Sequence, residues 1–522
     1  MTAEAFRVTY ATMSADNEEL QAAFDQGIVD AGDRLGATHP LIVDGVDREG
    51  AGTYEERSPI DTSIVVGRYA QAATGDVDDA VAAAGAAANA WAATPWTERV
   101  AALRTVAELI SDNRNVLSAL MTYEVGKNRL EALGDVEESA DLIRYYCHEM
   151  EEHDGFSIPM NRLSPSEATY DVMRPYGVWA VISPFNFPMA LAAGPVGAAL
   201  VAGNTVILKP SNTGALLGVE LARLMAQAGV PPGVFHLLTG SGTTVGRDLV
   251  HHAGVDGITF TGSYDVGMGI LGSFSSVYPK PAICEMGGKN PVIVTGNADL
   301  DKATDGVMRS AFGFGGQKCS ANSRVYVASS VYDDFVDLLV DKAERIVVGN
   351  PLDRETYLGP VIDSGAVERY LEATQQARKD GAVLTGGTRL SGSGLDAGYF
   401  VAPTVVTATR DSWLWKRELF VPFTAVEAIE SLDEGLALAN DTEYGLTAGF
   451  FSEDESEVAA FLDGIEAGVV YVNRRAGATT GAWPAVQPFG GWKGSGTSGK
   501  AGGGPYYVTQ YMREQSRTVV ES

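Results

Sequence analysis

Between residues 177 and 273 the sequence alternates between short apolar runs and longer stretches with helical periodicity. A short apolar run between turn residues is typical of a strand that is buried on both faces, and the longer stretches favour helices. Strands that alternate with helices of this length predict an α/β fold, with a parallel sheet joined by right-handed crossovers. The predicted strands cover residues 177–182, 205–208, 234–238 and 257–260, and the predicted helices lie near residues 216–227, 245–251 and 266–273.

The second half of the chain predicts another α/β unit. With 522 residues the chain exceeds the size at which one hydrophobic core keeps growing, so two or three domains are expected. A second alternating block begins with the apolar run 291–294 and continues to about residue 475. The two units are therefore expected to meet near residue 287.

Three further segments have their own patterns. The polar segment 161–176 and the tail from residue 506 are short and strand-like. The Ala-rich segment 77–120 has helical periodicity, and Pro95 with the two residues that follow it indicates a helix start.

Acidic residues greatly outnumber basic ones, with 67 against 38 and a formal net charge of −29. A surface of this charge repels phosphate backbones and anionic lipids, so nucleic-acid binding and membrane-surface binding are disfavoured. A solvated acidic surface also fits a halophilic protein, and residues 333–334 and 453–455 are expected to lie on it. This hypothesis predicts that folding and activity depend on molar salt.

The sequence predicts a cytoplasmic protein. The first twenty residues lack a basic start followed by an apolar core, so we expect no signal peptide. The most apolar stretch, residues 189–208, is interrupted by three glycines, a proline and an asparagine, and predicts a buried helix followed by a strand rather than a membrane span. Only three cysteines occur, and such an odd, sparse set argues against disulfides and for a reducing compartment.

The histidines do not predict a metal site. Six occur, and none has the spacing of a His, Cys or carboxylate metal site. The adjacent residues His251 and His252 cannot share one helical face, as a pair four positions apart would. We therefore expect no metal and interpret the histidines as ordinary surface residues.

Cys319 is a candidate nucleophile. It lies in a glycine-flanked turn, residues 316–321, next to a helical stretch. Exposed backbone N–H groups and a nearby cation in such a turn would lower the pKa of the thiol. Taken alone, a cysteine is more often a small buried hydrophobic residue, so the segment by itself favours that alternative.

Glu285 is a candidate general base. It lies between an apolar, strand-like run and the glycine pair 287–288, which is an unusual place for a solvated charge. Partial burial would raise the pKa of this carboxyl and suit it to accept a proton near neutral pH. The structural alternative is an ion pair with Lys289.

Asn186 is a candidate donor to a developing negative charge. It lies in the loop 183–188, where two prolines and two aromatic residues follow a predicted buried strand. An amide held rigidly in this way suits an oxyanion site. The alternative is a loop asparagine that caps its own backbone.

Three loops have the position of a nucleotide site. Lys209 and Ser211 directly follow a predicted strand, at the end of the strand where nucleotides bind in open α/β sheets. The segments 240–246 and 261–263 each lie between a strand and a helix, where a helix N-terminus could hold a phosphate. None of them is a G-x-G-x-x-G motif, so each is weak evidence alone.

Taken together in chain order, seven motifs resemble those of the aldehyde dehydrogenase superfamily. They are SPFNFP, KPS, FTGS, EMGGK, GQKCSA, ELF and PFGG, and Glu285 and Cys319 are 319 − 285 = 34 positions apart, as in that superfamily. The resemblance covers nearly the whole chain and implies a Rossmann-type cofactor domain, an α/β catalytic domain and a small β oligomerisation element. The implied bounds are 1–156 with 176–287, 288–488, and 157–175 with 504–522.

The resemblance also implies a role for each motif. Cys319 would form a thioester with the substrate, the Asn186 side chain and the Cys319 backbone N–H would stabilise the oxyanion, and Glu285 would activate the hydrolytic water. The cofactor would be NAD, although NADP is not excluded because Asn212 replaces a glutamate that would repel a 2′-phosphate. The implied cofactor-binding residues are Ile182, Ser183, Phe185, Lys209, Pro210, Ser211, Asn212, Gly242, Gly246, Thr261, Gly262, Ser263, Glu418 and Phe420.

The C-terminal motifs are similar to those of one branch, the 1-pyrroline-5-carboxylate dehydrogenases. The segments 473–474, 480–482, 487–491, 495–497 and 500–503 carry this resemblance. It implies oxidation of L-glutamate γ-semialdehyde to L-glutamate in proline breakdown. Four residues would contact the substrate: Gly481 and Ala482 through their backbone N–H groups, Ser320, and Phe489.

Three alternatives remain at this level. The substrate could be succinate or α-ketoglutarate semialdehyde, with Arg474 and Arg475 binding its distal carboxylate. The chain could be a non-catalytic binding protein that keeps the fold, which the intact Cys319, Glu285 and Asn186 argue against. A CoA-acylating enzyme ranks last, because a positioned base favours hydrolysis. Unpaired edges of the oligomerisation strands would invite aggregation, so a homo-oligomer is expected.

Overall fold

The computed structural model describes residues 16–520, which form 22 strands and 14 α-helices. The strands are β1 (Thr38–His39), β2 (Leu41–Val43), β3 (Val46–Arg48), β4 (Thr53–Arg57), β5 (Val65–Ala70), β6 (Ser157–Pro159), β7 (Glu167–Pro175), β8 (Val178–Ile182), β9 (Thr205–Lys209), β10 (Phe235–Leu237), β11 (Gly257–Thr261), β12 (Ala282–Glu285), β13 (Asn290–Val294), β14 (Asn322–Ala328), β15 (Gly381–Thr385), β16 (Thr404–Ala408), β17 (Phe423–Ile429), β18 (Tyr444–Gly445), β19 (Thr447–Phe451), β20 (Val469–Val472), β21 (Trp492–Lys493) and β22 (Met512–Val520). The α-helices are α1 (Glu18–Gly32), α2 (Thr74–Ala93), α3 (Trp96–Asp112), α4 (Arg114–Val125), α5 (Arg129–Glu152), α6 (Ala190–Ala202), α7 (Ala215–Gln227), α8 (Arg247–His251), α9 (Tyr264–Phe274), α10 (Leu300–Phe312), α11 (Tyr332–Glu344), α12 (Ser364–Asp380), α13 (Leu432–Asn440) and α14 (Glu455–Gly464).

The first large sheet has the strand order β12-β11-β8-β9-β10-β2-β3. The five strands from β12 to β10 are parallel, and β2 and β3 extend the sheet as an antiparallel pair. The residues of β8 and β9 are almost all buried, which explains their continuous apolar sequence. The predicted α/β fold with a parallel sheet is confirmed.

One predicted helix in this unit differs. The segment 245–251 begins with a π-helical turn, Gly242–Gly246, and only Arg247–His251 is α-helical. The Ser241 side chain accepts the N–H of Thr243, and the Thr244 hydroxyl donates to the Ser241 carbonyl. Short polar side chains therefore compete with regular helical hydrogen bonds in this turn.

The second large sheet has the strand order β15-β16-β17-β14-β13-β19-β20. All of its neighbours are parallel except β15, which runs antiparallel to β16. The chain passes from the first sheet to the second between Glu285 and Asn290. The glycine pair 287–288 therefore lies at the junction of the two sheets.

A third sheet has the strand order β22-β7-β6 and is antiparallel. The strand predicted within 161–176 is β7. The tail differs from its prediction, because β22 begins at Met512 rather than at residue 506. Val508–Tyr511 forms a 3₁₀ turn instead, in which Val508 and Tyr511 are fully buried against the rest of the protein.

Helices α2, α6 and α7 contact strands of the first sheet, and α3, α4 and α5 pack against α6 and α7. Helix α3 begins at Trp96 directly after Pro95, as predicted. The apolar stretch 189–208 forms the buried helix α6 and the strand β9. Across residues 16–520, no helix combines the length and the apolar character that a membrane span requires.

The charged residues agree only partly with their predictions. Residues 333–334 and 453–455 are exposed, as expected, and the dependence on salt stays a prediction. His236 is fully buried, so the interpretation of every histidine as a surface residue is wrong; its Nδ1 accepts the N–H of Asp44. The expectation of no signal peptide rests on the first twenty residues, and residues 1–15 lie outside the described part of the chain.

Candidate active site

The carboxyl ends of four parallel strands meet at one edge of the first sheet. Ile182 at the end of β8 is paired with Lys209 of β9 on one side and with Phe260 of β11 on the other. Thr261 of β11 is paired in turn with Glu285 of β12. The loops that follow these strands therefore share one crevice, which is the position that an open α/β sheet offers to a nucleotide.

Cys319 follows a turn that glycines make possible. Phe314, Gly315 and Gly316 have φ values of 47°, 63° and 64°, so the backbone is left-handed at three successive residues. A Cβ on Gly316 would overlap the carbonyl oxygen of Val421. The chain can thus reverse within a few residues and bring Cys319 to the junction of the two sheets.

Asn290 holds the backbone on either side of Ser320. Its side-chain Nδ2 donates to the carbonyl oxygens of Cys319 at 2.7 Å and of Ala321 at 2.9 Å. Gly288 passes so close that a Cβ there would overlap the Cys319 carbonyl. Gly288 and Asn290 therefore fix the orientation of the cysteine. The sequence alone does not predict this role for Asn290.

A cavity of about 310 Å³ brings together many of the predicted site residues. Its lining includes Cys319, Glu285 and Thr261, together with all four of the predicted substrate-binding residues: Ser320, Gly481, Ala482 and Phe489. Asn186 is buried and is not part of this lining, whereas its neighbour Phe187 is. The assignment of Asn186 as oxyanion donor therefore stays a prediction.

The environment of Cys319 differs from the one predicted. Burial, followed by the charges of Glu418 and Glu285, raises the pKa of the Cys319 thiol to about 12, although its own N–H and that of Ser320 act in the opposite direction. The cation next to it, Lys318, is paired with Glu131 at 2.6 Å. The expected lowering of the pKa is therefore wrong for the protein alone, because desolvation outweighs the nearby donors.

Glu285 has the properties that the sequence predicted. Burial raises the pKa of its carboxyl to about 8, and the backbone N–H of Gly491 only partly opposes this shift. Its Oε2 is buried without a hydrogen-bond partner in the part of the chain that the structure describes. No ion pair joins Glu285 to Lys289 within residues 16–520, so this carboxyl is available as a base.

Glu418 and Phe420 lie beside the cysteine and the SPFNFP loop. Glu418 Oε1 accepts the N–H of Gly288 at 2.9 Å, and burial raises the pKa of the Glu418 carboxyl to about 7. Phe420 has a φ of 58° and packs its ring against the edge of Phe185 at 5.9 Å. The ELF motif therefore closes the crevice opposite the first sheet.

The predicted cofactor residues leave polar groups unused. The hydroxyl of Ser183 and the Oδ1 of Asn212 are buried, and neither has a hydrogen-bond partner among the described residues. Burial lowers the pKa of Lys209 to about 8, and its Nζ donates to the Pro210 carbonyl. A Cβ on Gly242 would meet only open space. Unpaired polar groups beside open space at a strand edge fit a dinucleotide.

Other predicted cofactor residues lie along the same crevice. Gly246 approaches the stem of Lys209, with 3.8 Å between a Cβ there and the Lys209 Cδ. Gly262 donates its N–H to the Glu285 carbonyl, and Ser263 is the N-cap residue of α9. Within residues 16–520, the hydroxyl of Ser211 has hydrogen bonds only with the hydroxyl and the backbone N–H of Thr213.

The sequence did not reveal how Arg474 is used. Its guanidinium donates to the carbonyl oxygens of Thr480 at 2.6 Å and Gly481 at 3.0 Å, and it lies over the ring of Tyr471. Arg475 is exposed and forms ion pairs with Asp301 and Asp305. Both arginines are therefore engaged within the protein.

Further residues of the site carried no recognisable sequence signal. Tyr146 and Tyr507 line the cavity, and their rings stack at 5.2 Å. Below the loop 183–188, the fully buried Lys127 pairs with Asp135 at 2.8 Å and lies over the ring of Phe187. Lys318, which pairs with Glu131, is different, because the sequence places it next to the candidate nucleophile.

Known proteins of one family match nearly the whole chain. The sequence model of the aldehyde dehydrogenase family matches residues 46–517. The chain is 36% identical over 510 residues to the 1-pyrroline-5-carboxylate dehydrogenase of Bacillus pumilus (strain SAFR-032), and the match covers 97% of each chain.

Solved structures also match over nearly the whole of this chain. The fold resembles that of a 1-pyrroline-5-carboxylate dehydrogenase from Thermus with bound NAD, with a TM-score of 0.93, 34% identity and complete coverage of both chains. It also resembles proline utilization A from Bdellovibrio bacteriovorus, inactivated by N-propargylglycine, with a TM-score of 0.91 and 37% identity. That match covers 96% of this chain and 52% of the other one.

Proposed function

This chain belongs to the aldehyde dehydrogenase family, and we propose that it oxidises L-glutamate γ-semialdehyde to L-glutamate with NAD, as in proline breakdown. The names of the relatives from Bacillus pumilus and Thermus support this substrate, since both are 1-pyrroline-5-carboxylate dehydrogenases. The NAD bound in the Thermus structure supports the cofactor.

The loop Thr480–Gly481–Ala482 carries the substrate assignment. Arg474 binds the carbonyl oxygens of Thr480 and Gly481. In a trans peptide the C=O and the next N–H point in opposite directions, so the N–H groups of Gly481 and Ala482 face away from Arg474. No described residue accepts a hydrogen bond from either N–H. Two free N–H groups in the lining of the Cys319 cavity suit the α-carboxylate of the substrate.

Cys319 would attack the aldehyde carbon. Its thiol is neutral in the protein alone, so its proton must pass to solvent water as the Sγ–C bond forms, which leaves the Glu285 carboxylate free to accept a proton in the hydrolytic step. The electron pair of the C=O double bond moves onto the oxygen. We assign the stabilisation of this oxyanion to the Cys319 N–H and the Asn186 side chain.

Loss of hydride from the tetrahedral carbon would leave a thioester on Cys319. When bound, NAD supplies the nicotinamide that accepts this hydride. Glu418 and Phe420 would hold the ribose that carries the nicotinamide. Lys209, Ser211 and Asn212 would hold the adenosine half. The other predicted cofactor-binding residues would lie between these two ends. Glu285 would then remove a proton from the water that hydrolyses the thioester, and release of Sγ restores the thiol.

The environments of Arg474 and Arg475 argue against the role that these two residues would have with a rival substrate. Succinate or α-ketoglutarate semialdehyde would call for a free guanidinium at the distal carboxylate. Arg474 instead supports the loop, and Arg475 is paired with two aspartates outside the cavity. Arg309 also lines the cavity, so we assign the carboxylate to the loop N–H groups on their own geometry and not by elimination.

The sharpest test measures NADH and NADPH formation with three aldehydes. Glutamate γ-semialdehyde, succinate semialdehyde and propanal would be compared in the wild type, in Cys319→Ala and in Cys147→Ala. Cys147 is a fully buried cysteine outside the cavity and serves as the matched control. We expect a strong preference for the first aldehyde, lost only in Cys319→Ala. A preference for another aldehyde would contradict the substrate, and turnover by Cys319→Ala would contradict the mechanism.

Assembly, compartment and salt adaptation are further parts of the proposal. Exposed apolar side chains on and beside the third sheet, among them Ile158, Leu163, Val519 and Val520, support a homo-oligomer built through this sheet. The three cysteines are all free, which supports a reducing cytoplasm. Light scattering at 0.1 M and 2 M salt, with activity measured alongside, tests both the assembly and the salt dependence.

A further inference from the structure

A row of hydrogen bonds leads from the middle of the first sheet to the active-site cavity. Trp179 of β8 donates its indole N–H to the hydroxyl of Thr259 on β11 at 2.9 Å. This hydroxyl lies 3.1 Å from that of Tyr511, which donates to the hydroxyl of Tyr507 at 3.0 Å. All four side chains are buried, and Tyr507 lines the cavity that contains Cys319.

The indole group fixes the direction of this row. An indole N–H can only donate, so the Thr259 oxygen is an acceptor in the first bond. The Thr259 hydroxyl hydrogen then has one acceptor within the described structure, the Tyr511 oxygen, and a buried donor without an acceptor is costly. Tyr511 therefore accepts from Thr259 and donates to Tyr507. Each bond polarises the next one in the same direction.

The last hydrogen of the row has no partner in the protein. The Tyr507 oxygen accepts from Tyr511, and within residues 16–520 nothing accepts the Tyr507 hydroxyl hydrogen. Glu285 lines the same cavity, and its Oε2 is also without a partner. A donor and an acceptor that are both buried and unpaired in one cavity fit a bridging water molecule.

Tyr507 and Glu285 line the same cavity, and the charge of Glu285 acts on the Tyr507 hydroxyl. Burial and then the hydroxyls of Tyr511 and Tyr146 raise the pKa of Tyr507 well above its usual range, and the Glu285 charge adds to this shift. Glu285 also contributes to the raised pKa of Tyr511, but it is not among the main causes for Tyr146. Among the described residues, Tyr507 therefore combines a position in the cavity, a hydroxyl hydrogen without an acceptor and an interaction with the charge of Glu285.

We propose that Tyr507 is a positioning residue for thioester hydrolysis: its hydroxyl, oriented by Trp179, Thr259 and Tyr511, donates to the water that Glu285 activates. This inference rests on the proposed function, since it assigns a partner to the general base. The water would accept a hydrogen bond from Tyr507 and donate one to the Oε2 of Glu285. The second lone pair of the water oxygen would then be free to attack the thioester carbon.

The step is balanced without any added reagent. The water oxygen bonds to the thioester carbon as one of its protons passes to the Glu285 carboxylate. The C–S bond then breaks, and its electron pair remains on the Cys319 Sγ, which regains a proton. The product is the free carboxylic acid, and no electrons enter or leave.

The test uses an acyl group that requires neither aldehyde nor cofactor. The full-length protein would be acetylated on Cys319 with p-nitrophenyl acetate, and loss of the acetyl group would be followed by intact mass from pH 6 to 10. Four forms are compared: the wild type, Glu285→Gln, Tyr507→Phe and Tyr506→Phe. Tyr506 is the exposed neighbour of Tyr507 and is the matched control.

We expect Tyr507→Phe to be acetylated normally and to release acetate about five- to tenfold more slowly, the effect of one lost hydrogen bond. The midpoint of its pH profile should move to higher pH, because the Glu285 carboxylate loses a water-mediated donor. The charge of Glu285 also acts on Cys284, Cys319 and Tyr511. The other titratable groups that line the cavity include Glu131, Glu138, Tyr146, Arg309, Lys318, Tyr357 and Arg474. Tyr506→Phe should match the wild type.

Two outcomes separate this inference from the proposed function. Release by Glu285→Gln at the wild-type rate would overturn Glu285 as the base, and the proposed function with it. Slow release by Glu285→Gln together with wild-type rate and midpoint in Tyr507→Phe would overturn only the role of Tyr507. If Tyr507→Phe does not fold, Tyr511→Phe removes the donor to Tyr507, and an unchanged rate and midpoint there would overturn the inference.

Discussion

The guanidinium of Arg474 donates a 3.0 Å hydrogen bond to the carbonyl oxygen of Gly481, and a Cβ on that glycine would lie 2.6 Å from the same nitrogen. The φ of Gly481 is 96°, a conformation that residues with side chains rarely adopt. Both facts require glycine at this position. Under the proposed role of the loop, Arg474 would act on the substrate carboxylate through Thr480 and Gly481, whose carbonyl oxygens it holds.

Gly481→Ala is therefore expected to raise the KM for glutamate γ-semialdehyde by about tenfold or more. Alanine would displace the guanidinium and turn the loop, and a lost hydrogen bond to a charged group accounts for a change of this size. Steady-state kinetics with propanal as a neutral substrate would check the cause, because the KM for propanal should change little.

The matched control for this prediction is Gly392→Ala. Gly392 has a similar positive φ, 78°, and a Cβ there would meet nothing within 4 Å. An equal rise in KM for both aldehydes in Gly481→Ala would show a general loss of structure instead of a lost carboxylate site.

The thiol of Cys319 is expected to react slowly with iodoacetamide at neutral pH in the protein without cofactor. Burial and the charges of Glu418 and Glu285 raise its pKa to about 12, so the rate should climb through pH 7–10 without a plateau. Glu418→Gln removes a negative charge, lowers the pKa of the thiol and should increase the rate at pH 8.

Labelling of Cys319→Ala provides the control for this experiment, because Cys147 and Cys284 are fully buried and should not react. A plateau near pH 7 in the wild type would mean that the protein alone stabilises the thiolate, contrary to the structure.

Loss of the Asn186 side chain is expected to lower kcat by about 10²- to 10³-fold, the usual effect of removing an oxyanion donor. Asn186→Ala should change the KM little, because the contact would form only when the negative charge develops. Asn128→Ala is a useful comparison, since Asn128 lines the cavity but its Nδ2 donates to the Tyr357 carbonyl. A kcat within a factor of three of the wild type in Asn186→Ala would remove Asn186 from the oxyanion site.

Sequence reasoning found the strands of the first sheet because they are buried on both faces. The runs 205–208 and 257–260 agree with β9 and β11 to within one residue. It did not find that β2 and β3 extend the same sheet, since short antiparallel strands far away in the chain have no local signal for their partner. The pairing of β13 with β19 in the second sheet could not be predicted either, because these strands are more than 150 residues apart in the sequence and pair only in the folded chain.

For the site, residue types were predictable and environments were not. Glu285 lies between an apolar strand and two glycines, so its burial could be inferred from its neighbours. The shift of the Cys319 pKa could not, because it depends on Glu418, which is about a hundred positions away and reaches the thiol only in the folded protein. The position of the Tyr507 hydroxyl was equally hidden. Tyr507 directly precedes the 3₁₀ turn Val508–Tyr511, in a segment whose sequence pattern predicts a strand.

Asn212→Glu is expected to make the enzyme more specific for NAD. The Oδ1 of Asn212 is buried without a partner at the edge of the predicted adenosine site. A carboxylate there would accept a hydrogen bond from a ribose hydroxyl and repel the 2′-phosphate of NADP. The KM for NADP should rise by at least about tenfold while the KM for NAD stays the same or falls, and Asn212→Gln should leave the ratio of the two nearly unchanged. Equal effects on both cofactors would place Asn212 away from the ribose.

The pH dependence of hydrolysis should follow Glu285. Burial raises the pKa of this carboxyl to about 8, and only its deprotonated form can accept a proton from water. Below pH 8 the neutral acid dominates, so kcat should rise with pH and level off above about pH 9 when hydrolysis limits turnover. In Glu285→Gln this rise should disappear, and an acyl-enzyme should accumulate after one NADH per Cys319, detectable as a mass increase on the protein. A rise near pH 8 that persists in Glu285→Gln would assign the base to another group.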